Sequence, residues 1–281
     1  MLTLKAPAKI NLTLEVLRRL PDGFHEIRSI LQTIDLYDTL YIQAGRGISF
    51  QCDMQGWSAE KSLVSKTVAL LQEVADCKQG AEIKIEKRIP LMSGLGGDSS
   101  DAAALLRGLN DLWGLGLTDA KLAGLAAKLG SDVAFFLHGG TALATGKGEK
   151  ITPLPPIAPM WLVLVTPELP VETGKTGRMY ASLKPAHFTD GDITAKVVDA
   201  LRQGKPFQPA MLFNTFENIA FADFNIRRIY IEHLMKMGAL SVHLAGSGPA
   251  LFTIFQDNAR AEDIYNKCIS QRMKAFLAKT L

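Results

Sequence analysis

A dense glycine loop, PLMSGLGGDSS at Pro90–Ser100, is the stretch of the chain most suited to binding a charged ligand. Three glycines in four residues let backbone N–H groups approach a ligand closely. Ser99, Ser100 and Asp101 are residue types that favour a helix start, where unpaired N–H groups and the helix dipole attract anions. We therefore predict a phosphate-binding loop in which a serine hydroxyl binds phosphate or a phosphate-bound Mg²⁺. The plain alternative is a strand-to-helix turn.

The spacing around other glycines excludes two common nucleotide-binding loops. A Walker A loop requires G-x-x-x-x-G-K-[ST], and Gly174-Lys175-Thr176 matches only its end because the first glycine would fall on Leu169. The dinucleotide pattern G-x-G-x-x-G begins at Gly94 but has Ser99 in the third glycine position.

The elements that must position the loop are visible in the hydrophobic periodicity. Alternating apolar residues predict strands at Ile10–Val16 and Ile83–Ile89, and Leu40 and Ile42 continue the strand character. Helical patterns lie at 62–76 and from the glycine loop to about Trp113. Further helices are predicted at about 118–129, 193–203 and 226–237 and after Asn258, and further strands at 133–137, 141–144, 161–165, 241–246 and 250–255.

Four prolines between 153 and 159 precede the apolar run WLVLV and mark a domain boundary. A chain of 281 residues is about right for two domains. Strands mixed with helices, without a regular alternation of the two, are typical of an α+β fold. We predict an α+β protein with domains at 1–155 and 156–281.

Composition narrows the class of protein. The net charge is only +3 and the basic residues are scattered, so no nucleic-acid interface is predicted. Three widely spaced cysteines suggest neither zinc nor a disulfide framework. The opening MLTLKAPAKINLTLEV lacks the pattern of a signal peptide, and the apolar runs are too short to span a bilayer. We expect a cytoplasmic protein that does not bind membranes.

Three motifs resemble those of the GHMP kinase superfamily. The glycine loop resembles its second motif, P-x-x-x-G-L-G-S/G-S/G-S-S, while APAKINL at Ala6–Leu12 and LAGSGPA at Leu244–Ala250 resemble the first and third. They occur in the family's order and at its spacing, so the resemblance covers almost the whole chain. It implies a two-domain GHMP kinase fold, an active site in the cleft between the domains, and ATP and Mg²⁺ as cofactors.

Four shorter stretches resemble one branch of the superfamily: DGFHE at Asp22–Glu26, LGSDV at Leu129–Val133, FLHGG at Phe136–Gly140 and FNTFE at Phe213–Glu217. Members of this branch phosphorylate the 2-hydroxyl of 4-diphosphocytidyl-2-C-methyl-D-erythritol, in the non-mevalonate route to isoprenoid precursors. The resemblance implies a small cytidine diphosphate-linked substrate and a monomer or homodimer.

The resemblance assigns roles to individual residues. Asp132 accepts the proton of the attacking hydroxyl, and Lys9 beside it stabilises charge in the transition state. Without the resemblance, the plain alternatives are that Asp132 caps a turn and that Lys9 is a solvated strand lysine. The implied ATP-binding residues are Lys87, Pro90, Leu91, Met92, Ser93, Gly94, Leu95, Gly96, Gly97, Asp98, Ser99 and Ser100, with Ser100 also a metal ligand. The implied substrate-binding residues are Asn11, Phe24, His25, Asp132, Thr176, Tyr180, Gly246 and Ser247.

The cytosine-binding residues have ordinary alternatives too. Phe24 would stack on the cytosine ring, His25 would hydrogen-bond its edge, and Tyr180 would close the sandwich. An isolated Phe-His pair is more often a core residue next to a surface residue, and Tyr180 would equally suit core packing. For Lys87 the alternative is an exposed strand lysine. The alignment of Thr176 within 168–180 stays open.

Three positions depart from the family pattern. Asp98 replaces a usual glycine or serine, and either caps a helix or helps to hold Mg²⁺. Ser62 replaces a common asparagine, which leaves the adenine contact open, and Ala134 replaces a proline. Two other functions stay possible from the sequence: that of another GHMP kinase, acting on homoserine or mevalonate, and that of a catalytically silent relative. The Asp22–His25 element argues against the first, and retained Lys9 and Asp132 against the second.

Overall fold

A computed structural model of the protein describes residues 1–168, 174–223 and 225–281. Leu169, on which the exclusion of a Walker A loop rests, and part of the segment 168–180 lie outside the described residues. The predicted boundary after residue 155 stays a prediction. The chain forms two compact units: the first is Met1–Ala8, Leu36–Leu91 and Gly96–Gly139, and the second is Lys9–Asp35, Met92–Leu95 and Gly140–Leu281.

The first unit packs helices on a sheet. Within it, β2 pairs antiparallel with β4 in the register Leu40↔Ile85, and β4 pairs parallel with β3. Ile83 and Ile85 alternate with exposed residues along β4, so one face of the sheet is buried. The elements are β2 (His25–Gly45, shared with the second unit), β3 (Ile48–Cys52), β4 (Gly80–Glu86), α1 (Leu63–Val74), α2 (Gly97–Leu112), α3 (Asp119–Leu129) and α4 (Ser131–His138).

The second unit contains two groups of strands. In one, β5 pairs antiparallel with β2 and β6, and β8 pairs parallel with β1. In the other, the order is β11-β7-β10-β9, with antiparallel neighbours. The strands are β1 (Leu2–Arg19, shared with the first unit), β5 (Thr141–Gly146), β6 (Lys150–Pro153), β7 (Trp161–Val165), β8 (Phe213–Asn214), β9 (His243–Leu244), β10 (Leu251–Phe255) and β11 (Ala275–Lys279); the helices are α5 (Lys175–Ala181), α6 (Asp192–Arg202), α7 (Glu217–Asp223), α8 (Asn225–Met237) and α9 (Asn258–Ser270).

The mixture of helices and strands confirms the predicted α+β class, but the strand predicted at 133–137 is wrong. That segment lies in α4, where Val133, Ala134 and Leu137 are buried at helical spacing. A run of five apolar residues fits a buried helix as well as a strand, and only the flanking turns decide. Across the described ranges, no helix has the length and apolar character needed to cross a membrane.

Candidate active site

The glycine loop has the backbone conformation that its composition predicts. Gly94 and Gly96 have φ angles of 89° and 75°, a left-handed region that glycine adopts without steric cost. Gly96 is the N-cap of α2, which begins at Gly97. Ser99 and Ser100 therefore lie inside the helix rather than before it, and the turn itself depends on glycine.

The second and third glycine motifs are packed backbone against backbone. A Cβ atom at Gly94 would overlap the carbonyl oxygen of Ala245. Nearby, the N–H of Ala250 donates to the carbonyl of Ser93 at 3.0 Å. The second and third motifs are therefore in close contact, and that contact leaves no room for a side chain at Gly94.

Lys9 is buried on β1, beside both glycine motifs. Its N–H donates to the carbonyl of Leu95 at 2.9 Å, and its Nζ donates to Oδ1 of Asn11 at 2.9 Å. Asn11 in turn donates to Ser29 Oγ at 2.8 Å. The Nζ lies 3.3 Å from the position that a Cβ of Gly246 would occupy. Lys9 is therefore not a solvated strand lysine, because it is buried and its amine lies next to the third motif.

Side chains from two other segments hold the third motif. Asn214 Nδ2 donates to the carbonyls of Leu244 and Gly246 at 2.9 and 2.8 Å. The hydroxyls of Thr176 and Ser247 are 3.0 Å apart and hydrogen-bonded. The structure thus brings together three predicted substrate-binding residues, Thr176, Gly246 and Ser247.

His25 and Tyr180, two predicted cytosine-binding residues, are stacked on each other. Their ring centroids are 5.0 Å apart with an interplanar angle of 26°, and Phe188 contacts His25 edge-on at 6.0 Å. Burial, aided by the charge of Arg19, lowers the pKa of His25 below its ordinary value. At neutral pH the imidazole is therefore uncharged, with one nitrogen able to donate and the other able to accept a hydrogen bond.

Phe24, the remaining aromatic residue predicted to bind cytosine, is 60% exposed. The Nζ of Lys147 lies 4.5 Å from the centroid of its ring, in the geometry of a cation–π contact. Lys147 also forms an ion pair with Asp22, whose carboxylate accepts the N–H of Phe24 at 3.1 Å. The cation–π contact and the turn at Asp22 thus hold an aromatic ring that is largely open to solvent.

Lys87 lies immediately before the glycine loop and is buried between two carboxylates. Its Nζ is 2.5 Å from Oδ2 of Asp38 and 2.6 Å from Oδ2 of Asp101. Oδ1 of Asp38 also accepts the N–H groups of Arg88 and Ile89, at 2.6 and 2.8 Å. Lys87 is therefore not an exposed strand lysine, and its contact with ATP stays a prediction.

The charges of this cluster perturb one another. Burial raises the pKa of Asp101 to about 8, although the Lys87 ammonium opposes that shift. Burial alone would lower the pKa of Lys87, but the charges of Asp101 and Asp38 outweigh it and raise the value. Two buried carboxyl groups thus share one ammonium, and they titrate as a coupled cluster rather than as independent acids.

Asp98, one of the departures from the family pattern, points to the start of α1. Its carboxylate accepts the hydroxyl of Ser62 and, at 2.9 Å, the N–H of Leu63. Ser62 is the N-cap of α1, and its hydroxyl oxygen accepts from Val64 N–H at 3.3 Å. The structure thus places Asp98 in the helix-capping role that was one of its two predicted alternatives.

Asp132, the predicted base, lies in the first turn of α4 directly after Gly130 and Ser131. Its side chain is half-buried. Asp132 belongs to the first compact unit and Lys9 to the second. A carboxylate in the first turn of a helix is stabilised by the helix dipole.

The chain is similar to known proteins along its whole length. Residues 62–140 match the family described as GHMP kinases N terminal domain, and residues 227–275 match GHMP kinases C terminal. A curated relative from Dehalococcoides mccartyi, a 4-diphosphocytidyl-2-C-methyl-D-erythritol kinase, is 47% identical over 281 residues, 100% of this chain and 99% of that protein. The chain belongs to the GHMP kinase family.

Other proteins similar to this GHMP kinase include a further curated relative and solved structures. A 4-diphosphocytidyl-2-C-methyl-D-erythritol kinase from a Geobacillus species is 40% identical over 268 residues, covering 94% of this chain and 92% of that protein. A crystal structure of 4-(cytidine 5'-diphospho)-2C-methyl-D-erythritol kinase has a TM-score of 0.83 at 31% identity, with 99% of each chain covered. A Streptococcus pneumoniae phosphomevalonate kinase, at 15% identity and TM-score 0.73 over 100% of both chains, shares the fold alone.

GHMP kinases are ATP-dependent phosphotransferases, and the loop of this kinase offers one unused group to a metal. The Oγ of Ser100 is buried and has no hydrogen-bond partner among the described residues. No group of three His, Cys, Asp or Glu side chains that could form a metal cage occurs in the described ranges. Mg²⁺ usually keeps several waters and binds substrate phosphates with few protein ligands, so this sparse donor set fits it.

Sequence reasoning missed three residues that support the site of this GHMP kinase. The motif FNTFE contains Asn214 but does not predict that this amide fixes the backbone of the third motif. Asp38 and Lys147 were not singled out at all. The glycines flanking Lys147 were a usable signal, since a lysine at a tight turn is held out from the strands. Nothing in the sequence marks Asp38 as the partner of Lys87.

Proposed function

We propose that this GHMP kinase transfers the γ-phosphoryl group of ATP, with Mg²⁺, to the 2-hydroxyl of 4-diphosphocytidyl-2-C-methyl-D-erythritol. The observation that carries the proposal is the contact between the second and third glycine motifs beside the amine of Lys9. Glycine backbone next to a fixed ammonium suits a phosphoryl group in transfer. The identity of the alcohol rests on full-length relatives that carry that name.

The reaction needs a base, a positive charge and alignment more than covalent chemistry. Asp132 accepts the proton of the 2-hydroxyl as its oxygen bonds to the γ-phosphorus and the bond to ADP breaks. The ammonium of Lys9 stabilises the charge that develops on the phosphoryl oxygens, and Asn11 orients that ammonium. Backbone N–H groups of the glycine loop bind the ATP phosphates, and Ser100 would hold a Mg²⁺ ion that would neutralise their charge.

The cytidine end of the substrate is recognised at a distance from the phosphoryl group. Neutral His25 offers both a donor and an acceptor to the edge of cytosine, a pairing that an imidazolium would lack. Phe24 presents an exposed aromatic face for stacking on the base. Tyr180 supports His25 by stacking on it, and we propose that it also closes the cytosine sandwich.

The proposal extends to the setting of the enzyme. Free cysteines at 52, 77 and 268 suit a reducing compartment, in agreement with a cytoplasmic enzyme. We further propose that the enzyme is a monomer or homodimer, that it does not bind nucleic acid, and that its domains divide near residue 155. Scattered basic residues and a net charge of +3 support the absence of a nucleic-acid partner.

An assay of ADP release with three alcohols tests the proposal. Purified protein, ATP and Mg²⁺ are mixed with the cytidyl substrate, homoserine or mevalonate, and ADP is followed with a coupled enzyme. We expect turnover with the cytidyl substrate alone. Turnover with one of the other alcohols would retain the kinase and contradict the substrate. No turnover with any alcohol, together with measurable ATP binding, would indicate a silent relative.

The same assay tests the base. Asp132→Asn keeps the shape of the side chain and removes its basicity, so we expect kcat to fall by about 10²–10⁴. Asp119→Asn is the matched control because Asp119 also lies in a first helical turn but is exposed. If Asp132→Asn retains more than a third of the activity, the assignment of the base is wrong.

A further inference from the structure

The end of the glycine loop is tied to a second helix. Asp98 follows Gly96 and Gly97 directly, and both of its carboxylate oxygens bind the start of α1: one accepts the Ser62 hydroxyl, the other the Leu63 N–H at 2.9 Å. Leu63 N–H is one of the donors that a helix start leaves without an intrahelical partner. One carboxylate in the first turn of α2 therefore caps α1.

The same turn of α2 is also fixed on its other side. Asp101 is bound by Lys87, which precedes the loop in sequence. A Cβ atom at Gly97 would come within 3.0 Å of the Ile89 side chain, so the backbone there is already in close contact. The first turn of α2 thus joins the segment before the loop through Asp101 and α1 through Asp98.

Asp98 and Ser62 are both departures from the family pattern, and in this chain they are bonded to each other. A carboxylate near bound phosphates would oppose their binding unless its charge is directed elsewhere. Two donors at the start of α1 direct it away from the loop. Turning an oxygen of Asp98 toward a metal would leave the Leu63 N–H without its acceptor, a loss that folded proteins avoid.

We propose that Asp98 and Ser62 act together as positioning residues, which hold the end of the glycine loop in the conformation that binds nucleotide phosphates, and that Asp98 is not a metal ligand. This inference rests on the proposed ATP site but not on the identity of the phosphoryl acceptor. It assigns one shared role to two positions at which this chain departs from the family pattern.

Calorimetric titration with Mg²⁺ and a non-hydrolysable ATP analogue tests the pair without any phosphoryl acceptor. The variants are Asp98→Ala, Asp98→Asn, Ser62→Ala and the double Ser62→Ala/Asp98→Ala; Asp111→Ala, exposed on the same helix, is the control. Loss of a helix cap corresponds to about a tenfold weaker Kd for Asp98→Ala and about threefold for Ser62→Ala. Asp98→Asn keeps an acceptor for Leu63 and should lie between wild type and Asp98→Ala.

Two readouts separate positioning from metal binding and from general damage. Because the two side chains act through one contact, the double variant should match Asp98→Ala rather than the product of both effects. The Mg²⁺ concentration for half-maximal binding, at saturating nucleotide, should be unchanged. A raised Mg²⁺ requirement in Asp98→Ala would make Asp98 a metal ligand and overturn the proposal.

Unchanged Kd values, or fully multiplicative effects, would overturn it equally. Thermal unfolding of each variant identifies misfolding, and Asp98→Asn keeps the test valid if Asp98→Ala does not fold. The titration is independent of turnover, so a failure of the cytidyl substrate in the activity assay leaves this result readable. Conversely, normal turnover by wild type with no effect of Asp98→Ala on Kd would contradict only the positioning role.

Discussion

Two buried lysines lie next to the glycine motifs, and their surroundings differ in kind. Lys87, in the first unit, has its ammonium between the carboxylates of Asp38 and Asp101. Lys9, in the second unit, donates to the amide of Asn11, which continues through Ser29 to backbone. In the first setting the ammonium bridges two carboxylates, and in the second it donates to an amide oxygen.

We propose that the ammonium of Lys87 is structural and that the ammonium of Lys9 is catalytic. The carboxylates around Lys87 neutralise its charge, so it attracts a further anion only weakly. Asp38 also fixes the backbone after Lys87, because its Oδ1 accepts the N–H groups of Arg88 and Ile89. The hydrogen bond to Asn11 Oδ1 holds the Lys9 amine in place beside the third motif. We expect substitution of Lys87 to act mainly on stability and substitution of Lys9 mainly on rate.

Lys87→Met should have the largest effect. Two buried carboxyl groups lose their only described cation, and breaking such a cluster costs about 3–5 kcal/mol of the free energy of unfolding. Urea denaturation measures it, with Lys84→Met, exposed on β4, as the control. A loss below about 1 kcal/mol together with a raised KM for ATP would reverse the comparison, because Lys87 would then be an ATP contact.

Lys9→Met should lower kcat by about 10²–10³ while KM for ATP changes little, as for the loss of one preorganised donor to a transition state. Steady-state kinetics with the cytidyl substrate measures the change. Lys9→Arg keeps the charge but alters its geometry, and some activity should return. The comparison fails if Lys9→Met unfolds as readily as Lys87→Met and the folded fraction turns over normally.

Gly94→Ala sharpens the comparison by disturbing the backbone next to Lys9. A side chain there would meet the Ala245 carbonyl at a φ of 89°, so we expect a loss of about 1–3 kcal/mol and weaker ATP binding. Gly124→Ala on exposed α3 meets nothing within 4 Å and should stabilise by about 0.5–1 kcal/mol. Equal thermal shifts in the two variants would rule out the close contact of the motifs.

Asp101→Asn should have the smallest effect at neutral pH and a clear effect on pH dependence. Because the folded pKa is raised from 3.8 to about 8, folded protein binds one more proton than unfolded chain between those values. The free energy of unfolding therefore falls as pH rises through this window, and Asp101→Asn should flatten the slope. Asp111→Asn, exposed on the same helix, should leave the slope unchanged; identical slopes in all three proteins would place the proton elsewhere.

Much of the site could be predicted from local sequence. The density of glycines predicted backbone conformations closed to other residues, and Gly94 and Gly96 have positive φ. The strand predicted at Ile83–Ile89 is confirmed only as far as Glu86, where β4 ends, so residues 87–89 lie outside it. The strand predicted at 133–137 failed because five apolar residues carry too little periodicity to distinguish a strand from a buried helix.

The sequence by itself determined the family, the α+β class and the order of the three motifs, because those depend on residue types at short and regular spacing. Only the tertiary structure decided that Lys87 faces Asp38 across 49 residues and that Asp98 bonds to Ser62 across 36. A buried charged or polar group is stable only when another group pairs with it, and the tertiary fold determines which group lies within hydrogen-bonding distance. These pairings follow no periodic pattern in the sequence, so the sequence pattern does not predict them.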